Sequence, residues 1–369
     1  MEFDLATARD EALLRRLLRD NPMPGAISLT FEREPNFFLA AVIEGDLHQT
    51  VVATDPASGH VAGLASRSAR DAFVDGEPTR LGYLSQARVD PAYRGKTVLA
   101  GGWARIRALH EADPLPLYVT TIIADNAVAR RILEKDRPGK PCYRPRGELH
   151  TLALVPRRRS VRSLLPGEIE IRRASADMLA DIAQCLQRNY RRYQLAPVWT
   201  AEDLADPVRC RGLHPSDFLV ALRAARIVGC LAIWDQQAFK QSVVRGYARP
   251  LRLARPLLNA VSHIAPVPRL PAIGEAIPHA YLTHAASDDD DPRVLIRLVE
   301  SALHQVRGRG LSYVTMGLCS ANPMLAPVRR RFHPIVYRSI VYVVYWPDGE
   351  ERVTRLSAGR IPHLEVGVL

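Results

Sequence analysis

The sequence predicts an α/β protein (an α+β mixture around a mixed sheet), built as two successive units. Three observations predict it. The chain has 369 residues, too many for one typical domain and enough for two. Nearly half of them, 47%, are apolar, so each half can bury a core. One order of strands and helices can be read twice along the chain, although the two passes barely match residue by residue.

In the first pass, Phe3-Asp4-Leu5 reads as a short strand. Leu13, Leu14, Leu17 and Leu18 recur at helical spacing between Asp10 and Asp20, with arginines on the other face. Pro22 and Pro24 end that helix, and a second short helix is expected over Pro35 to Ile43. Gln49 to Thr54 and His60 to Ser66 read as strands around the turn signal Asp55-Pro56-Ala57-Ser58-Gly59. Leu81 to Val89 is a further strand, stopped by Asp90-Pro91, and Thr97 to Glu111 a helix. Leu117 to Ile123 is apolar and rich in β-formers, as a buried strand is. Asp125-Asn126 caps a helix to Lys135, and Leu149 to Val155 is the last strand.

Pro156 to Gly167, with its run of arginines, reads as a linker. The order then restarts: strand Ile169–Ile171, a helix to Tyr193 and a hairpin from Phe218–Leu222 and Ile227–Ile233. Strand Ala280–His284, helix Pro292–Val306, strand Leu311–Leu318, helix Asn322–Phe332 and strand Ser339–Trp346 follow. The proline- and arginine-rich stretch Pro250 to Pro278 reads as an insertion. The boundaries follow: a first unit over 1–155, a linker over 156–167, a second unit over 168–348 and a tail over 349–369.

The net charge of +11 falls wholly after residue 155, because residues 1–155 hold 20 basic and 20 acidic side chains. A basic face for an anionic substrate, a cofactor phosphate or RNA would place it there. Arginine supplies 46 of the 50 basic residues, which coding bias alone can produce. Five scattered cysteines without a CxxC pair fit a reducing cytoplasm, and a cytoplasmic protein is expected. The start, Met1-Glu2-Phe3-Asp4, lacks a signal-peptide pattern, and no apolar stretch has the length of a membrane span.

The most specific feature is the strand, turn, helix, strand, helix run from Leu81 to Lys135. A turn that leaves a strand and opens a helix aims free backbone N–H groups at one spot, and the helix dipole adds positive potential there. Val89-Asp90-Pro91-Ala92-Tyr93-Arg94-Gly95-Lys96 resembles the strand-to-turn signature of the GNAT acyltransferase superfamily. Arg94-Gly95-Lys96-Thr97-Val98-Leu99 aligns with its Q/R-x-x-G-x-G/A motif, and Asn126 and Ala129 match its last core helix.

The resemblance implies two tandem GNAT-like domains and acetyl-CoA, or another acyl-CoA, as co-substrate without a metal. Its contacts would come from Ala87, Arg88, Val89, Arg94, Gly95, Lys96, Thr97, Val98 and Asn126. The chain departs from the family pattern in three places. Thr97 replaces the motif's first glycine, Leu99 its small residue, and Leu133 the tyrosine that often protonates the leaving thiolate.

Tyr143 is then the nearby candidate acid, or else a core or rim residue. No carboxylate precedes the turn in Leu84-Ser85-Gln86-Ala87-Arg88, so a strand base is missing. Arg33, Glu34 and Phe37 would recognise the acceptor, or cap and pack a helix. In the second unit, the corresponding turn carries Asp288 to Asp291, which repel a pyrophosphate but suit a helix start. His284, at the end of the matching strand, is expected to face a cleft and is the candidate catalytic histidine.

The leading expectation is transfer of an acetyl group from acetyl-CoA to a small-molecule or peptide amine, with the second unit shaping the acceptor site. An aminoacyl-tRNA-dependent transferase of paired GNAT-like domains is the alternative, and would bind RNA. A non-catalytic ligand-binding module is the third.

Overall fold

A computed structural model describes residues 1–95, 97–156, 169–262 and 269–369. Lys96, and the expected linker apart from Pro156, lie outside the described residues. The first half runs β1 (Glu2–Leu5), α1 (Glu11–Arg19), β2 (Ile27–Glu32), β3 (Leu47–Asp55), β4 (His60–Val74), β5 (Glu77–Val89), α2 (Val98–Ala112), β6 (Tyr118–Ile123), α3 (Ala127–Glu134) and β7 (Cys142–Leu154). The second runs β8 (Glu170–Arg173), α4 (Leu179–Tyr190), β9 (Ala196–Pro197), α5 (Ala201–Ala205), β10 (Phe218–Arg223), β11 (Arg226–Trp234), β12 (Gln241–Tyr247) and α6 (Arg249–Val261). It continues with β13 (His279–Ser287), α7 (Pro292–Gln305), β14 (Tyr313–Cys319), α8 (Leu325–Phe332), β15 (Ile335–Tyr345) and α9 (Glu350–Thr354).

One sheet runs through both halves, in the order β1-β3-β4-β5-β6-β15-β7-β14-β13-β11-β10-β8, with β9 on β4. Along that path only β5–β6 and β13–β14 are parallel. Each half enters from its own edge, and the two cross over at the centre. The last strand of the chain, β15, lies between β6 and β7, pairing Ser339 with Ile123 and Val344 with Tyr118. Reciprocally, β7 pairs with β14, from Val314↔Leu154 to Cys319↔Leu149. Helices cover both faces of this centre, so Val341 to Val344 are buried on either side of the strand.

Local chemistry sets the flanking elements. In α1, Leu14, Leu17 and Leu18 turn inward, while Glu11 and Arg15 pair across one turn at 2.6 Å. In α7, Val294, Leu295, Leu298, Val299 and Ala302 form the buried stripe, each large side chain stabilising by about 1.5–3 kcal/mol.

The structure differs from the sequence expectation in several elements. Residues 35–43 form two 3₁₀ turns, Phe37–Leu39 and Ala41–Ile43, the first capped by Asn36. Strands β2 and β12 were not expected, and they pair with each other in a small separate sheet. Strand β7 begins at Cys142 rather than Leu149 because β15 gives it a partner along that length. The proline-rich stretch contains α6, with Pro250 in its first turn, where no amide partner is needed. Residues 349–369, expected as a tail, pack into the fold and bury Val353, Leu356, Leu364 and Val368.

Candidate active site

Strands β5 and β6 stay in register only at Gly82↔Tyr118 and Tyr83↔Val119, and then part. The Thr120 hydroxyl donates to the Leu84 carbonyl at 2.7 Å where they separate. Just beyond, β5 bulges: Ser85 faces Ser66 and Arg88 faces Leu64, leaving one residue of β4 opposite Gln86 and Ala87. Gln86 takes a left-handed φ of 56°, which costs a non-glycine residue about 1 kcal/mol or more. Such a bulge frees backbone groups from the ladder and re-aims them. The gap reaches solvent, since Ala87 is exposed and Ile123 is 41% exposed.

Below the gap, Asp90 caps the turn Pro91–Tyr93 and accepts from the Ala92 amide at 2.8 Å. The Tyr93 hydroxyl donates to Asp55 at 2.8 Å, and Arg94 reaches Asn21 at 3.3 Å. Gly95 has φ +78°, and a side chain there would meet nothing within 4 Å. The 15-residue α2 then opens without a side-chain cap: Thr97 makes no capping bond and the first turn holds no acid. Val98 anchors the helix start against Ala53 and Ala62. The turn therefore offers uncapped amides and a positive helix end on an open surface.

On the sheet face opposite α2, a carboxylate approaches the bulge. Glu44 is fully buried, and its side chain pairs with the Arg33 guanidinium. Ser85 and Ser68 donate to Glu44 Oε2 at 3.1 and 3.2 Å. His48 Nδ1 meets Ser68 at 2.8 Å and its Nε2 meets Thr50 at 3.0 Å, while Thr50 contacts Ser66 at 2.9 Å. Gly45 makes this approach possible, because a side chain there would lie 2.1 Å from the Ala69 carbonyl oxygen. Burial alone would raise the Glu44 pKa, but Arg33, His48 and Lys240 outweigh it and hold the carboxyl below its usual range. Burial lowers His48 to about 4, against the pull of Glu44. At neutral pH His48 is thus uncharged, and its 3.5 Å approach to Glu44 is not an ion pair.

No family model and no curated relative matches the chain. Solved structures do. A GCN5-related glucosamine N-acetyltransferase region of a fungal multi-domain GH3 β-N-acetylglucosaminidase matches with a TM-score of 0.61 at 15% identity, over 93% of this chain. This chain spans 38% of that protein's length. A GCN5-related N-acetyltransferase from Sphaerobacter thermophilus matches with 0.50 at 16% identity, over 80% of this chain and 79% of its own. Saccharomyces cerevisiae N-myristoyltransferase with bound myristoyl-CoA matches with 0.59 at 12% identity, over 98% of this chain and 89% of its own. The chain has the GNAT fold.

Within that fold, Ala87, Arg88 and Val89 border the gap, and Arg94, Gly95, Thr97 and Val98 form the turn and helix start below it. Asn126 caps α3 and spends its side chain on the Ala129 amide at 3.1 Å. Lys96 lies outside the described residues.

Tyr143 is not brought to this GNAT cleft. It pairs with Val344, whose other partner is Tyr118, so it stands level with Gly82, where β5 and β6 are still joined. Its ring packs beneath α2 with Lys140 Nζ 4.7 Å from its centre, and burial pushes the phenol up to about 12. A phenol so placed is a core residue, which corrects the expectation of an acid there.

His284 needs the same correction. A like arrangement occurs later in the chain: β13 and β14 pair only at His279, Ala280 and Tyr281, and His284 bulges with φ 51°. Here residues 361–369 fill the gap. Glu365 accepts the His284 amide at 3.0 Å, the Thr283 hydroxyl at 3.2 Å and the Trp199 indole N–H at 3.3 Å, together with the Tyr190 hydroxyl. The His284 ring is 0% exposed, sits 4.4 Å from Trp199 and 5.3 Å from Phe218, and neither ring nitrogen has a partner. Burial lowers its pKa, so it is a neutral packing group.

Three of the four aspartates are met by the chain itself. Arg188 holds Asp288 at 2.8 Å, Tyr193 holds Asp290 at 2.6 Å, and Asp291 caps α7 through the Arg293 amide at 2.9 Å. Glu34 pairs with Arg15 and, at 2.5 Å, with Arg19, while Phe37 is buried under Arg33. Sequence reasoning missed Glu44 because it sought an acid on the strand before the turn. The available signal was a lone acid closing the apolar run Ala40-Ala41-Val42-Ile43, followed by glycine.

Proposed function

We propose that the protein transfers an acyl group from acyl-CoA, with acetyl-CoA as the first donor to test, to an amine. The observation that carries this reading is the convergence at one bulge of two groups from opposite sheet faces. The open gap and uncapped α2 start lie on one side, and the Glu44–Ser85 pair on the other. The neighbouring folds carry the names of acyltransferases, which supports it.

The pyrophosphate would lie against the amides of Gly95 to Leu99, and the thioester beside the bulge. A backbone N–H freed at Gln86–Arg88 would polarise its carbonyl. As the amine nitrogen bonds to that carbon, its N–H becomes acidic. The proton passes through Ser85 Oγ to Glu44, the C–S bond breaks and the thiolate leaves. Much of the acceleration comes from holding amine and thioester together. Thiolates leave well unprotonated, which fits Leu133 standing where other members have a tyrosine.

Thermal denaturation with acetyl-CoA and a long-chain acyl-CoA tests this. Millimolar ligand should raise the melting temperature by several degrees, and Thr97→Asp should abolish the rise. No response to either ligand overturns the reading.

A further inference from the structure

We propose that the acceptor amine also bears a carboxylate, held by Arg88 and Arg33 at the edge of the Glu44 centre. This rests on the acyl-transfer reading and deepens it.

The charges around Glu44 do not balance. Arg33 spends one nitrogen on Glu44, its side chain is 3% exposed, and its Nη1 has no partner. Arg88 leaves β5 three residues after Ser85. Its Nη1 bonds only the carbonyl of Ala87 at 2.9 Å, and its Nη2 approaches only the Met23 sulfur at 4.0 Å. Arg70 and Lys240 complete the set, donating to the main-chain oxygens of Val368 at 2.6 Å and Leu369 at 2.8 Å. Among the described residues, Glu44 is the one side-chain carboxylate in an ion pair with any of these four cations. The titratable groups facing Glu44 are Arg33, His48 and Lys240, with Tyr83, Arg70 and Arg88 around them. Burial and mutual repulsion hold Arg88 and Lys240 below their ordinary ranges, Lys240 at about 8.

A half-buried guanidinium facing a thioether, near a buried guanidinium whose Nη1 is unpartnered, is an incomplete anion site. A carboxylate fits it bidentately. The same molecule's amine, bound as the free base, would then meet Ser85 and Glu44, which take the one proton it loses on attack. Amine and carboxylate need only the separation found in an amino acid. The cluster reaches the surface at Ser85, Gln86 and Arg88, which are partly exposed beside the gap.

The test measures CoA release from saturating acetyl-CoA with matched pairs: glycine against methylamine, L-phenylalanine against 2-phenylethylamine, L-lysine against cadaverine. The carboxylated member should have a kcat/KM at least 30-fold higher. Arg88→Gln should shrink that preference below about 3-fold, mainly through the acceptor's KM, with Arg88→Lys intermediate and with acetyl-CoA affinity, to which residue 88 lends only its backbone, unchanged. In parallel, calorimetry on the protein without acyl-CoA compares N-acetylglycine with N-methylacetamide. Only the acid should bind, and Arg88→Gln should remove that binding. Equal use of both members of each pair overturns the proposal. So does failure of every acid to bind. Loss of acetyl-CoA affinity in Arg88→Gln also overturns it, because the arginines would then serve the cofactor's phosphates. Failure of acetyl-CoA itself to bind would instead sink the acyl-transfer reading, while the calorimetry still decides the anion site.

Discussion

Gln86 and His284 hold the same position in two bulges of the same form, with φ 56° and 51°, yet one borders an open gap and the other lies in a sealed core. Each sits where a parallel strand pair has just parted.

Glycine at the two sites should therefore act oppositely. Gln86→Gly removes left-handed strain and the buried, unpartnered Gln86 Oε1, so it should leave stability within about 1 kcal/mol of the parent or raise it. His284→Gly gains the same backbone relief but empties the space among Trp199, Phe218 and Trp234, and should cost about 2–4 kcal/mol. Urea denaturation of both variants measures the contrast.

Glu44→Gln should reduce the turnover number on the order of 100-fold or more, because it removes the proton acceptor. Acyl-CoA affinity, set at the turn on the other face, should hold. The amide can still accept from Ser85, but the buried Arg33 guanidinium loses its counter-charge, at a cost of about 3–5 kcal/mol in stability. Unchanged turnover would remove Glu44 from the chemistry.

His48 gives the molecule an acid-sensitive window. Its folded pKa, about 4, lies below the usual 6.5, so the folded state resists a proton that the unfolded chain accepts. Stability should be full above pH 6.5 and fall as pH drops toward 4, by up to about 3 kcal/mol. His48→Gln should flatten the denaturation midpoint across that window.

Glu365→Ala would strand four donors, from Tyr190, Trp199, Thr283 and the His284 backbone. A loss on the order of 3–5 kcal/mol is expected, with acyl-CoA affinity retained at the distant first-unit turn. Melting temperature and ligand titration separate the two effects.

The sequence made much of the element order legible because it is written in local signals. The leucine spacing of α1, the Asp90-Pro91 stop and the Asn126 cap each act within a few residues. What it hid was non-local. The length of β7 depends on β15, nearly 200 residues later, and β2 exists because β12 pairs with it. The site divides likewise. The turn at Arg94 to Thr97 could be read from its own residues. Glu44 could not, since it meets Ser85 only through the fold, 41 positions apart. His284 misled because its strand position pointed to a cleft, while the segment filling that cleft comes some 80 residues later.

The crossing of β7 and β15 carries a consequence for how the protein comes into being. When β6 and β7 have left the ribosome, each still shows an unpaired edge that only β15 will cover, and β15 is made nearly 200 residues later. Exposed edges of this kind invite pairing with neighbouring chains. The nascent first half must wait, half-built and adhesive, for its closing strand. Either half made alone should collect in inclusion bodies, and the two made together should rescue each other into the soluble fraction.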